Sequence, residues 1–96
     1  TPPRRVLYLA YLGEEAKKAG LELARFFRAN GVECQVEYKD RGMKAHFGRA
    51  NKIGAAWVLI VGENEIAAGR FGLKDMASGR QFDGTREELL ALLRDN

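Results

Sequence analysis

Seven consecutive apolar residues, AAWVLIV at 55–61, constrain this chain more than any other feature. A strand that is apolar at every position cannot leave either face in water, so it needs cover on both sides. The run is short for a buried helix and carries β-branched and aromatic residues, which favours the strand. Burial on both sides calls for helices above and below a sheet, the arrangement that parallel strands and their crossovers produce. A chain of 96 residues holds one such core and no second one. Residues 1–96 are therefore read as one domain, with Thr1-Pro2-Pro3 as a stiff linker remnant of a longer polypeptide.

The rest of the chain supplies what that strand needs. Residues 4–10 (RRVLYLA) form a first short apolar strand. From Gly13 to Ala29 the positions Leu12, Ala16, Ala19, Leu23 and Phe27 recur at helical spacing, Glu14 and Glu15 suit the helix dipole, and Asn30-Gly31 ends the helix. Residues 32–38 alternate, with Val32, Cys34, Val36 and Tyr38 on one face, as an edge strand does. A second helix is expected over about 42–54, with Met43, Phe47, Ala50 and Ile53 or Gly54 inward and Lys44, Arg49, Asn51 and Lys52 outward. After the apolar strand comes a turn, GENE at 62–65. Residues 69–76 follow as a strand with Phe71 and Leu73 inward, joined through Ala77-Ser78-Gly79 to a short strand near Arg80–Phe82, a hairpin at the sheet's edge. Thr85 and Glu88 make a capping box before a last helix carrying Leu89, Leu90, Leu92 and Leu93.

This order implies a three-layer α/β/α domain on a five-stranded mixed sheet. Two right-handed crossovers on opposite faces put the first strand between the second and third, and the hairpin adds beyond the third with its first strand antiparallel, giving order 2-1-3-4-5. Ligands of such sheets bind past the carboxyl ends of the parallel strands, here Ala10–Gly13, Tyr38–Gly42 and Gly62–Glu65.

Charge narrows the partner. The total of +3 is modest, but Lys39, Arg41, Lys44, Arg49 and Lys52 stand against Asp40 alone, so 39–54 holds five cations and one carboxylate, a local +4. A basic cluster at a helix start is a footprint for phosphate, and a solvated helix face is its plain counterpart.

Several chemistries are excluded by what the loops lack. No G-x-x-x-x-G-K-[ST] or G-x-G-x-x-G follows the first strand, and Ala10 stands where an aspartyl-phosphate receiver needs Asp. One cysteine, Cys34, makes no internal disulfide or zinc site and fits a reducing, cytoplasmic setting. His46, the only histidine, has no Ser/His/Asp spacing around it and is expected to be a surface or half-buried helix residue. No run reaches the roughly 20 apolar residues of a membrane span.

The stretch RGMKAHFGRANKIGAAWVLIVGENE at 41–65, followed by GRFGLKDMASGRQ at 69–81, resembles the C-terminal anticodon-binding domain of histidyl-tRNA synthetases. The likeness covers nearly the whole chain and implies the same sheet order. It also implies that anticodon bases of histidine tRNA are read at three places: Asp40 and Arg41, Asn64 and Glu65, and Lys74. Lys44 joins them as a phosphate contact from the basic helix face. For Lys74 the plain alternative is a charged guard against edge pairing. For Trp57, Phe47, Phe71 and Tyr8 the spacing favours core over stacking.

The resemblance further implies a catalytic domain upstream, a homodimeric parent, ATP and Mg²⁺ in that catalytic domain with no cofactor in this chain, and neither a membrane nor DNA as partner. Two other functions fit the same fold: an accessory or regulatory paralogue making protein or other nucleic-acid contacts, and a small-molecule module using the carboxyl edge.

Overall fold

The computed structural model describes residues 6–36 and 42–95. Its elements run β1 (Val6–Tyr11), α1 (Glu14–Ala29), β2 (Glu33–Val36), α2 (Met43–Ile53), β3 (Trp57–Val61), α3 (Glu63–Ala68), β4 (Phe71–Asp75), β5 (Gln81–Gly84) and α4 (Arg86–Asp95). The sheet has the order β2-β1-β3-β4-β5 expected from the sequence. β1 pairs in parallel with β2 (Leu7 opposite Cys34) and with β3 (Leu9 opposite Leu59), while β4 runs antiparallel to β3 and β5.

Alternation within the strands divides the core in two. Leu7, Leu9, Tyr11, Trp57, Leu59, Val61, Phe71 and Leu73 face α1 and α4, where they meet Leu23, Phe27 and Leu89. Tyr8, Ala10 and Val58 face α2 and meet Ala50, with Phe47, Ile60 and Met76 packed around them. The apolar run at 55–61 is thus covered on both sides, as its composition demands. Tyr8, Trp57 and Phe71 are core residues, and Phe47 is half-buried against the second cluster.

Three local expectations are corrected. The GENE segment is the start of a six-residue helix, α3, in place of a turn. Gly62 begins it in an extended conformation, two glutamates occupy its first turn, and Gly69 ends it in the left-handed region at φ 69°. Six residues are too few for helical periodicity to show. The hairpin's first strand, β4, is not an edge: it is hydrogen-bonded to β3 on one side and β5 on the other, so Lys74 cannot be an edge guard. Finally, the buried stripe of α2 is His46 and Ala50, with Met43 and Phe47 half-buried and Ile53 and Gly54 exposed. The helix is rolled relative to the expected stripe because the histidine, polar in sequence, finds polar partners inside.

The last helix starts as its sequence indicates. The Thr85 N–H donates to Glu88 Oε1 at 2.9 Å and the Glu88 N–H donates to Thr85 Oγ1 at 3.2 Å, a reciprocal capping box. The backbone N–H of Thr85, then its hydroxyl, holds the Glu88 carboxyl below the usual glutamate range. A lowered value stabilises the fold above the ordinary range and is lost as pH falls through the folded value. Thr85→Ala is expected to cost about 1 kcal/mol, a drop of roughly 4–8 °C in Tm for a domain of this size. Thermal melts of Thr85→Ala, Glu88→Gln and the double variant should show less than additive losses that shrink on acidification.

Candidate nucleic-acid interface

The carboxyl ends of β1 and β3 lie side by side, with Tyr11 opposite Val61 and the Leu12 N–H donating to Val61 O at 2.8 Å. The first turn of α2 comes down against this edge. There the His46 ring, fully buried, has Nδ1 2.9 Å from Tyr8 Oη and Nε2 2.8 Å from the Tyr11 carbonyl oxygen. This corrects the expectation of a surface or half-buried side chain. The ring lies under the helix, away from solvent, where a general base would have no substrate to reach.

Lys44 is exposed in the first turn of α2, and Arg49 and Lys52 are exposed further along it. Lys44 and Phe47 are three residues apart and hence neighbours on one helix surface. The Lys74 ammonium sits 4.6 Å from the centroid of the Phe47 ring. That distance is within cation–π range, so the ring fixes where Lys74 presents its charge. Two lysines therefore flank one half-buried aromatic ring on the α2 side of the sheet. By its spacing in the sequence Phe47 belongs only to the core. The i, i+3 spacing of Lys44 and Phe47 was legible, whereas the approach of Lys74 needs the sheet register.

Next to this trio the sheet is open. Gly72 and Lys74 of β4 are half-buried, and Gln81 and Asp83 of β5, their ladder partners on the same face, are exposed. α4 and α1 cover the opposite face, while α2 packs mainly on β1 and meets β4 through the Phe47–Lys74 contact. Lys74 pairs with Val58, three residues before the end of β3. It therefore stands about 10 Å below the carboxyl edge, at roughly 3.3 Å per residue.

Asn64 and Glu65 take a different position. Both lie in the first turn of α3, Asn64 exposed and Glu65 half-buried. α3 leans toward α1, where Ile66 helps line a groove of about 290 Å³ with Ala19, Leu23 and Phe71. The Glu65 carboxylate folds back over Gly62, so a Cβ there would come within 2.8 Å of its Oε2. Lys44 and Lys74 thus share one side of the sheet, and Asn64 and Glu65 mark the edge nearer α1. Asp40 and Arg41 lie outside the described residues.

Electrostatics separates the cations by availability. Arg70 is engaged by Asp83 at 3.1 Å and Glu88 at 3.6 Å, and Arg86 by Glu87 at 3.2 Å. Among the described residues neither Lys44 nor Lys52 has an ion-pair partner, so their charge is open to a ligand. Cys34 offers no nucleophile. Burial pushes its thiol up to about 11, with the nearby Arg28 acting the other way. Alkylation of Cys34 by iodoacetamide at pH 8 should be at least tenfold slower in the native chain than in denaturant, as followed by mass spectrometry.

Comparison with known proteins gives the family of the fold. Residues 7–96 match the family described as "Anticodon binding domain". The histidine–tRNA ligase of Solibacter usitatus is 47% identical over 87 residues, covering 91% of this chain and 20% of the relative. That of Chlorobium chlorochromatii is 37% identical over 95 residues, 99% of this chain and 22% of the relative. The chain thus spans about a fifth of the length of these relatives. A crystal structure of histidyl-tRNA synthetase from Nostoc superposes with a TM-score of 0.87 at 25% identity, over 97% of this chain and 22% of that one.

Proposed function

The chain belongs to the anticodon-binding-domain family, as the domain found in histidyl-tRNA synthetases, and we propose that it recognises the anticodon loop of histidine tRNA through its α2 side and carboxyl edge. The observation that carries this reading is the Lys44–Phe47–Lys74 trio beside an open strip of sheet. Unpaired ammonium groups hold phosphate without regard to sequence, and amide and carboxylate groups can read the edges of unstacked bases. In this reading Lys44 and Lys74 hold the backbone and fix the loop's register. Asn64 and Glu65 read bases at the end of β3, and Asp40 and Arg41 contribute from the β2–α2 junction.

The domain serves a catalytic part that joins histidine to tRNA with ATP and Mg²⁺, in a homodimeric cytoplasmic ligase, and this chain supplies no group to that chemistry. Among the described residues no helix is long and apolar enough to cross a membrane.

Binding of a stem-loop with anticodon GUG, titrated at several salt concentrations, tests the reading. Three or four neutralised phosphates give a log–log slope of roughly −2 to −3. An affinity that ignores salt, or no binding at millimolar RNA, would contradict it. Lys44→Ala should weaken cognate and non-cognate loops alike and make the slope shallower by about 0.7.

Glu65→Gln separates reading from holding. A carboxylate beside RNA repels phosphate, so its place at the edge is favourable only where a base donor meets it. The substitution should lower cognate affinity by roughly tenfold and leave non-cognate affinity level or slightly higher, an effect of the size expected for one base-edge contact. Equal losses for both loops would assign Glu65 to the start of α3 alone.

A further inference from the structure

His46 occupies a place that an apolar side chain would fill at lower desolvation cost. What it adds is direction. The Tyr11 carbonyl can only accept, so His46 Nε2 carries the proton and donates across 2.8 Å. In the neutral ring Nδ1 is then the acceptor for the Tyr8 hydroxyl, 2.9 Å away. One tautomer satisfies both bonds. The ring also meets Tyr8 and Tyr11 at centroid distances of 5.7 Å each, with interplanar angles of 62° and 58°.

These contacts join the first turn of α2 to the end of β1. The His46 N–H bonds Gly42 O at 3.0 Å, so the ring is attached to the turn that carries Lys44 and, one residue on, Phe47 with Lys74 upon it. Apolar contact alone lets a helix roll or slide at small cost, because it has no preferred direction. Two hydrogen bonds to points separated along β1 fix both roll and height.

We propose that His46 is a positioning residue for RNA recognition, holding the first turn of α2 so that Lys44 and the Phe47–Lys74 pair meet the RNA backbone together. This rests on the anticodon-loop reading above.

Three variants test it. In His46→Gln the amide can donate to the Tyr11 carbonyl and accept from the Tyr8 hydroxyl, which keeps both bonds. His46→Leu keeps bulk and loses both. Tyr8→Phe/His46→Leu replaces both members of the hydroxyl–imidazole pair by apolar groups, so it should lose less stability than His46→Leu without recovering direction. Affinity for the GUG stem-loop, thermal midpoint and amide exchange are measured on each. His46→Gln should bind within about twofold of the parent chain. His46→Leu and the double variant should bind at least fivefold more weakly, with faster exchange at residues 43–47 while the amides of β1 and β3 stay protected. The double variant should melt higher than His46→Leu without regaining affinity. RNA binding by the double variant equal to that of the parent chain, or exchange that rises evenly through the domain, would reduce His46 to a core residue and leave the RNA reading standing. Absence of RNA binding by the parent chain would overturn both.

Discussion

Parallel pairing of β1 with strands on both its sides is the constraint from which the rest follows. Parallel strands cannot be joined by a tight turn, so each pairing needs a crossover helix, and the right-handed rule sends α1 and α2 to opposite faces. With one helix on each side, β3 is buried on both faces and its apolar run is satisfied. The same pairing aligns the ends of β1 and β3 into one edge and sets the first turn of α2 against it. β4 and β5 then extend the sheet past β1, the main seat of α2, which leaves an open strip on one face beside the Phe47–Lys74 contact.

That asymmetry separates holding the fold together from meeting a partner. The α1–α4 face carries most of the large buried side chains, and at the β4–β5 end the exposed Arg70 ties Asp83 of β5 to Glu88 of α4. The α2 face has a smaller core and spends its exposed surface on cations. Surface lysines contribute little to stability, so their placement beside an aromatic ring and an uncovered strip of sheet supports the proposed reading of a ligand there. A polyanion that lays its backbone across α2 would bring its unstacked bases over β4 and the start of α3.

The sequence makes the architecture legible where side-chain periods are long enough to read. The seven apolar residues at 55–61, the helical spacing from Ala16 to Phe27 and the Thr85–Glu88 box each have one physical solution, and the structure adopts it. The site is only partly legible. Lys44 falls on the outer face of α2 as its spacing requires, and Asn64 and Glu65 fall at the end of β3, although on a helix too short to show a period. The local pattern misleads at His46, because a histidine counts as polar until its partners are known, and those partners, Tyr8 and Tyr11, are 38 and 35 residues away. Once His46 turns inward the helix rolls, and Phe47 moves from the centre of the stripe to its margin, where Lys74 reaches it. The Lys74–Phe47 contact depends on register across β3 and β4, which no local pattern encodes.

The central claim is that RNA meets the α2 side of the sheet. Backbone amide shifts of the isotope-labelled chain, followed while a stem-loop with anticodon GUG is titrated in, test it most directly. Shifts concentrated at residues 42–48, at Gly72–Lys74 and at Gly62–Glu65, with α1 and α4 quiet, are the expected result. Shifts centred on the groove between α1, α3 and α4 or on β2, or none at saturating RNA, would contradict it.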